Sequence, residues 1–80
     1  MTSFFPDVNS SQIIKVLTKI GFKFSRQSGT SHAIYRRESD GSRTTVPTHG
    51  KKSLKIKTIK SICKDAKITV EELRKLLEQI

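Results

Sequence analysis

Hydrophobic and polar residues follow two different periods along this chain. Ile13, Leu17 and Ile20 recur at helical spacing with Ile14 beside them, while Lys15 and Lys19 point outward. Asn9 stands where a helix N-cap belongs, and Gln12 three residues on completes a capping-box pattern. Val8 and Ile13 flank that cap as a hydrophobic staple. Gly21 is a natural stop. The pattern predicts a first helix within "VNSSQIIKVLTKIGF".

The period then shortens to two. "FKFSRQ" places Phe22 and Phe24 on one face, with Lys23 and Ser25 on the other. "SGTS" is a turn, and "HAIYRR" reads as a second strand. Ala33 and Tyr35 share one face of it; His32, Ile34 and Arg36 share the other. Tyr35 is thereby assigned to the core, and Arg37 reads as a solvated edge residue. "ESDGS" is a hairpin turn built on Asp-Gly, and the β-branched "RTTVP" forms a third strand ended by Pro47. Three strands with short connections make an antiparallel meander.

"THGKKSLKIK" is a polar, basic loop. In "TIKSICKDA", Ile59, Ile62, Cys63 and Ala66 return to helical spacing. "TVEELRKLLEQI" opens with a second capping box, Thr69 with Glu72. Val70, Leu73, Leu77 and Ile80 line one face, and Glu71 with Lys75 forms an i,i+4 pair. A helix, three strands and one or two further helices predict a two-layer α+β domain. Its helices cover one face of a three-stranded antiparallel sheet and leave the other open.

Size and charge narrow the function classes. Eighty residues make one domain, 1–80, with a thin core. That excludes a large multi-step enzyme with a deep cofactor pocket, and leaves a small nuclease, a binding module or a partner protein. Sixteen Lys and Arg against seven Asp and Glu give a net charge of +9, and the pI is about 10.1. Such a field attracts polyanions, nucleic acid first, with an acidic protein as the other fit. The one cysteine, Cys63, can form neither an internal disulfide nor a zinc knuckle, and its helical setting assigns it to packing. No apolar run approaches the ~20 residues of a membrane span. "MTSFFPDV" is too short and uncharged for a signal peptide, so a cytoplasmic protein is expected.

The candidate chemistry lies in two histidines. His32 begins the second strand and His49 follows the third. In a meander these two strands are antiparallel neighbours, so both imidazoles fall near one sheet edge. Arg26, Lys51 and Lys52 gather there, and Arg36 shares the face of His32. Imidazoles beside cations suit metal-free RNA cleavage. A base takes the 2′-OH proton, an acid serves the leaving 5′-oxygen, and Lys and Arg hold the phosphate. Two histidines without clustered Asp, Glu or Cys make an incomplete metal shell, and Asp40 sits at the opposite end of the strands. Neither metal nor cofactor is expected. Ser31 beside His32 lacks an orienting carboxylate and an oxyanion hole, and reads as a turn hydroxyl.

Two other functions share parts of this pattern. A non-catalytic double-stranded-RNA-binding module would have the same fold and charge but no need for a histidine. A DNA-binding helix-turn-helix could be drawn through "TIKSICKDAKITVEELRKLL". However, Glu71, Glu72 and Glu78 suit a major groove poorly, and the strands would have no role.

From about Ser11 to Leu77 the chain resembles the HicA toxins of bacterial and archaeal HicAB toxin–antitoxin systems. The likeness rests on the helix ending in Gly21-Phe22, on Arg26-Gln27, and on "GTSHAIY", "TVPTHGKK" and "TIKSICKDAKITVEEL". It implies a double-stranded-RNA-binding-domain-like fold, α-β-β-β-α, here with a short extra C-terminal helix. It also implies a metal-independent endoribonuclease that cleaves mRNA and arrests growth, with a HicB-like antitoxin covering the active site. The family's Gly-Ser-His histidine maps onto His32, and its second recurrent histidine onto His49. The free toxin is expected to be a monomer. In this chain the Gly-Ser-His element is one residue longer, Gly29-Thr30-Ser31-His32, and the Gly-Thr that commonly opens the next helix is Lys57-Thr58.

Overall fold

The computed structural model describes residues 7–48 and 51–80. Helix α1 (Ser10–Lys19) leads into strands β1 (Lys23–Ser28), β2 (His32–Arg37) and β3 (Ser42–Pro47), followed by helices α2 (Ile56–Ala66) and α3 (Val70–Leu77). The strands form one antiparallel sheet in the order β1-β2-β3. This is an α+β fold in the double-stranded-RNA-binding-domain arrangement, with an extra C-terminal helix.

The capping signals act as read, whereas Ile80, placed by periodicity on the buried face of the last helix, lies beyond the end of α3 and is exposed. Asn9 and Gln12 close a reciprocal capping box on α1, and Thr69 and Glu72 close one on α3. Val8 and Ile13 are both buried at the first cap. Gly21, at φ +102°, turns the chain out of α1. Helix α2 begins at Ile56, two residues before the "TIKSICKDA" segment.

The register assigns every strand residue to a face, because directly paired residues point the same way. Toward the helices lie three rows: Arg37 with Ser42; Phe24 with Tyr35 and Thr44; Gln27 with Ala33 and Val46. Ala33, Tyr35 and Val46 join Leu17, Phe22, Ile59, Ile62, Cys63, Ala66 and Leu73 in the core. Thr44, buried among them, donates its hydroxyl to Asp65 Oδ2 of α2 at 3.0 Å. Burial pushes the Cys63 thiol and the Tyr35 phenol above their ordinary pKa values, as expected of packing residues.

The readings of Ser25 and Arg37 change, and β1 is less covered than its alternation suggests. Phe24 has the expected parity but is 57% exposed. The helices pack mainly over β3, and β1 is an edge strand exposed along its whole length. Phe24 makes a T-shaped contact with Tyr35, with ring centroids 5.8 Å apart. A bulge between Phe24 and Arg26 resets β1, so Ser25 has no partner on β2.

Arg37 is not a solvated edge residue. Its side chain is 16% exposed and reaches across the helix layer. Nη1 donates to the Ile20 carbonyl at 3.3 Å, and Nη2 to the Ala66 carbonyl at 3.1 Å. Nε and Nη2 form a fork on Asp40, at 3.1 and 2.9 Å. The guanidinium carbon lies 4.7 Å from the centre of the Phe22 ring. The stem passes so near Gly21 that a Cβ there would sit 3.3 Å from Arg37 Cδ. Asp40 also accepts from the Ser42 backbone N–H and hydroxyl, and pairs with Lys67 at 3.4 Å.

Arg37→Met keeps the apolar stem and removes the donors. It should cost about 2–4 kcal/mol in chemical denaturation, because two helix-end carbonyls lose the Arg37 donor and Asp40 loses its guanidinium fork. A cost below about 0.5 kcal/mol would show that the network does not hold the helices. The Arg37 guanidinium and the Ser42 donors hold the Asp40 carboxyl far below the usual carboxylate range. A depressed carboxylate stabilises the fold fully above its unfolded pKa, near 4, and that contribution is lost progressively as pH falls below it. Thermal unfolding followed from about pH 5 to pH 2 should show a shallower loss of Tm with acid in Asp40→Asn than in the native chain.

Candidate active site

The open sheet face carries the complementary rows. Ser28, His32 and Pro47 form the row at one end, Arg26, Ile34 and Thr45 the next, and Lys23, Arg36 and Arg43 the third. His32 is thus the first residue of the central strand and is paired on both sides. Beyond its row, the Thr48 N–H donates to the Ser31 carbonyl at 2.7 Å and extends the ladder. The extra residue of Gly29-Thr30-Ser31-His32 is absorbed in a three-residue turn, with Gly29 at φ +68°. His32 remains in register and exposed.

The basic loop is folded back toward His32 by α1. The Leu54 N–H donates to the Val8 carbonyl at 2.7 Å, Asn9 pairs with Ser53, and the Leu54 side chain enters the core. The Ser10 hydroxyl donates to the Pro47 carbonyl, and the Ser53 hydroxyl to Asp7. These ties enclose an open cleft of about 430 Å³ lined by His32, Pro47, Lys52, Ser53, Leu54, Lys55 and Thr58. Lys55 is the N-cap of α2 and makes no side-chain cap bond. The positive end of the α2 dipole therefore adds to the two lysines around the cleft.

The site residues read from sequence divide accordingly. His32 and Lys52 meet in the cleft. Arg26 and Arg36 share the open face with His32 but stand outside the cleft. Arg36 is four residues along β2 from His32, on the order of 13 Å. Lys51 is exposed in the loop and does not line the cleft. His49 lies outside the described residues. Lys55 and Thr58 were missed because "SLKIKT" gives no sign of where the loop turns back; the buried Leu54 is the one residue that marks it. Arg43 and Lys23 were also missed, although strand parity places both with Arg36.

An acid–base imidazole beside two ammonium groups can exchange a proton at a phosphate that those groups hold. Among the described residues, no three His, Cys, Asp or Glu side chains come together as a metal-binding group. No described helix is long and apolar enough to cross a membrane.

Residues 10–68 match the family model described as the HicA toxin of bacterial toxin–antitoxin systems. No curated protein matches the chain. The matched segment runs from α1 to the end of α2 and includes the cleft.

Leu54→Ala should cost about 2–3 kcal/mol and release the loop. Limited trypsin digestion checks this: cleavage at Lys51, Lys52 and Lys55 should accelerate before the rest of the chain is cut. Uniform digestion would show that Leu54 does not anchor the loop.

Proposed function

The chain belongs to the HicA toxin family of bacterial toxin–antitoxin systems, and from that membership we propose that it is a metal-independent endoribonuclease acting on mRNA. His32 serves as general acid or base at the scissile phosphate, and His49 is its candidate auxiliary. Lys52 holds the phosphate in the cleft, while Lys51, Arg26 and Arg36 attract the flanking RNA. The observation that carries this reading is the placement of His32. It is exposed, fixed in register at a strand start, and faces a cleft with Lys52 and Lys55.

The chemistry asks little more of the protein. Attack of a 2′-oxygen on the adjacent phosphorus forms one P–O bond and breaks the bond to the 5′-oxygen. One proton leaves the 2′-hydroxyl and another reaches the 5′-oxygen. Imidazole can give or take either proton at neutral pH, and ammonium groups stabilise the charge on the phosphorane. The family's antitoxin partner is, in this reading, a HicB-like protein that covers the cleft, and the site of action is the cytoplasm.

The test is cleavage of single-stranded RNA in EDTA by the native chain and by His32→Ala. The variant should lose about 10²- to 10⁴-fold in rate while folding and binding RNA as before. Undiminished cleavage by the variant would remove His32 from the mechanism. Binding without cleavage by the native chain would favour a non-catalytic RNA-binding module.

A further inference from the structure

The open sheet face carries more charge than the cleft accounts for. Lys23, Arg36 and Arg43 stand directly opposite one another across three strands, and Arg26 lies one row nearer His32. None of the residues paired on this face is acidic. None of these four cations makes an ion pair among the described residues. Like charges directly opposed across strands oppose folding, and an anion laid over the row would relieve that repulsion.

We propose that this face is a track for the backbone of single-stranded RNA leaving the His32 cleft, with Lys23 and Arg43 flanking Arg36 as phosphate-positioning residues. The inference rests on the ribonuclease reading for its substrate. Its geometry is that of one strand: the three-strand row spans about 10 Å, and it lies on the order of 13 Å from His32 along β2. The track holds phosphate rather than bases. Phe24 and Tyr35 lie on the helix side of the sheet, so the one aromatic ring in the paired rows of the open face is His32 at the cleft, and the cationic row offers no aromatic side chain for a base to stack on. Binding there is therefore tolerant of sequence, and any sequence preference must arise nearer the cleft.

Salt-dependent binding of a 2′-O-methyl RNA oligonucleotide tests the track independently of cleavage. Arg36→Gln combined with Arg43→Gln should flatten the slope of log K against log[salt] by about 1.4, from about 0.7 per lost phosphate contact on a single strand. Lys15→Gln with Lys19→Gln, an equal charge change on the exposed side of α1, should leave the slope near that of the native chain. With cleavable RNA, the loss in the face variant should fall on KM rather than kcat. An unchanged slope in the face variant overturns the track, including the case in which the face serves an acidic protein. An equal drop in the α1 variant also overturns it, as does tighter binding of a duplex of the same length. A flattened slope in a chain that cleaves nothing would uphold the track and remove the catalytic reading, so the two failures are distinguishable.

Discussion

The Arg37 guanidinium is the joint from which the arrangement of the layers follows. One planar group with five donors satisfies the last carbonyl regions of two helices and the carboxylate of the β2–β3 turn, and it covers the Phe22 ring. A lysine in its place would offer a point charge to partners that lie in different directions, and no planar surface for the ring. The joint also explains Gly21. That residue needs a positive φ and must also leave room for the Arg37 stem, so two independent constraints fall on one position. The joint gathers the ends of α1 and α2 at one end of β2, the helices pack mainly over β3, and Phe24 on the edge strand β1 is left largely exposed.

Adjacent arginines on β2 have opposite roles, and the pleat assigns them. Arg37 points inward and is nearly enclosed by partners, whereas Arg36 points outward into a row of cations with none. The inner face pairs its buried polar groups: Arg37 and Ser42 with Asp40, Thr44 with Asp65. The outer face leaves its cations unmatched and carries the self-repulsion. A sheet with only a structural role would gain from a carboxylate among Lys23, Arg36 and Arg43. The row of Lys23, Arg36 and Arg43 carries no such pairing among the described residues, which is the feature the proposed RNA track rests on.

Local signals were legible in the sequence, and nonlocal ones were not. Both capping boxes, the strand parity of Ala33 and Tyr35, and the helical burial of Ile59, Ile62, Cys63 and Ala66 depend on neighbours within four residues. Arg37 was legible only in part. Parity places it with Ala33 and Tyr35, but its partners are helix-end carbonyls 17 and 29 residues away, which no periodicity encodes. The Ser25 bulge depends on how β1 pairs with β2, so the composition of β1 alone does not reveal it. At the site, His32 could be placed by topology. Lys55 and Thr58 could not, because their position depends on Leu54 anchoring a basic loop against Val8.

The joint and the candidate site occupy opposite ends of the same strand. Arg37 secures the last residue of β2, while His32 is the first and is held by pairing to Ser28 and Pro47. The cleft is closed by a separate set of ties, Ser10 to Pro47 and Val8 to Leu54, all of which begin in or just before α1. An exposed imidazole makes little contribution to the core, so a substitution at His32 should cost the fold little. The same division lets a longer Gly-Thr-Ser turn be tolerated. The turn projects beyond the last paired row, and the ladder on either side of β2, rather than the turn, fixes where the imidazole stands.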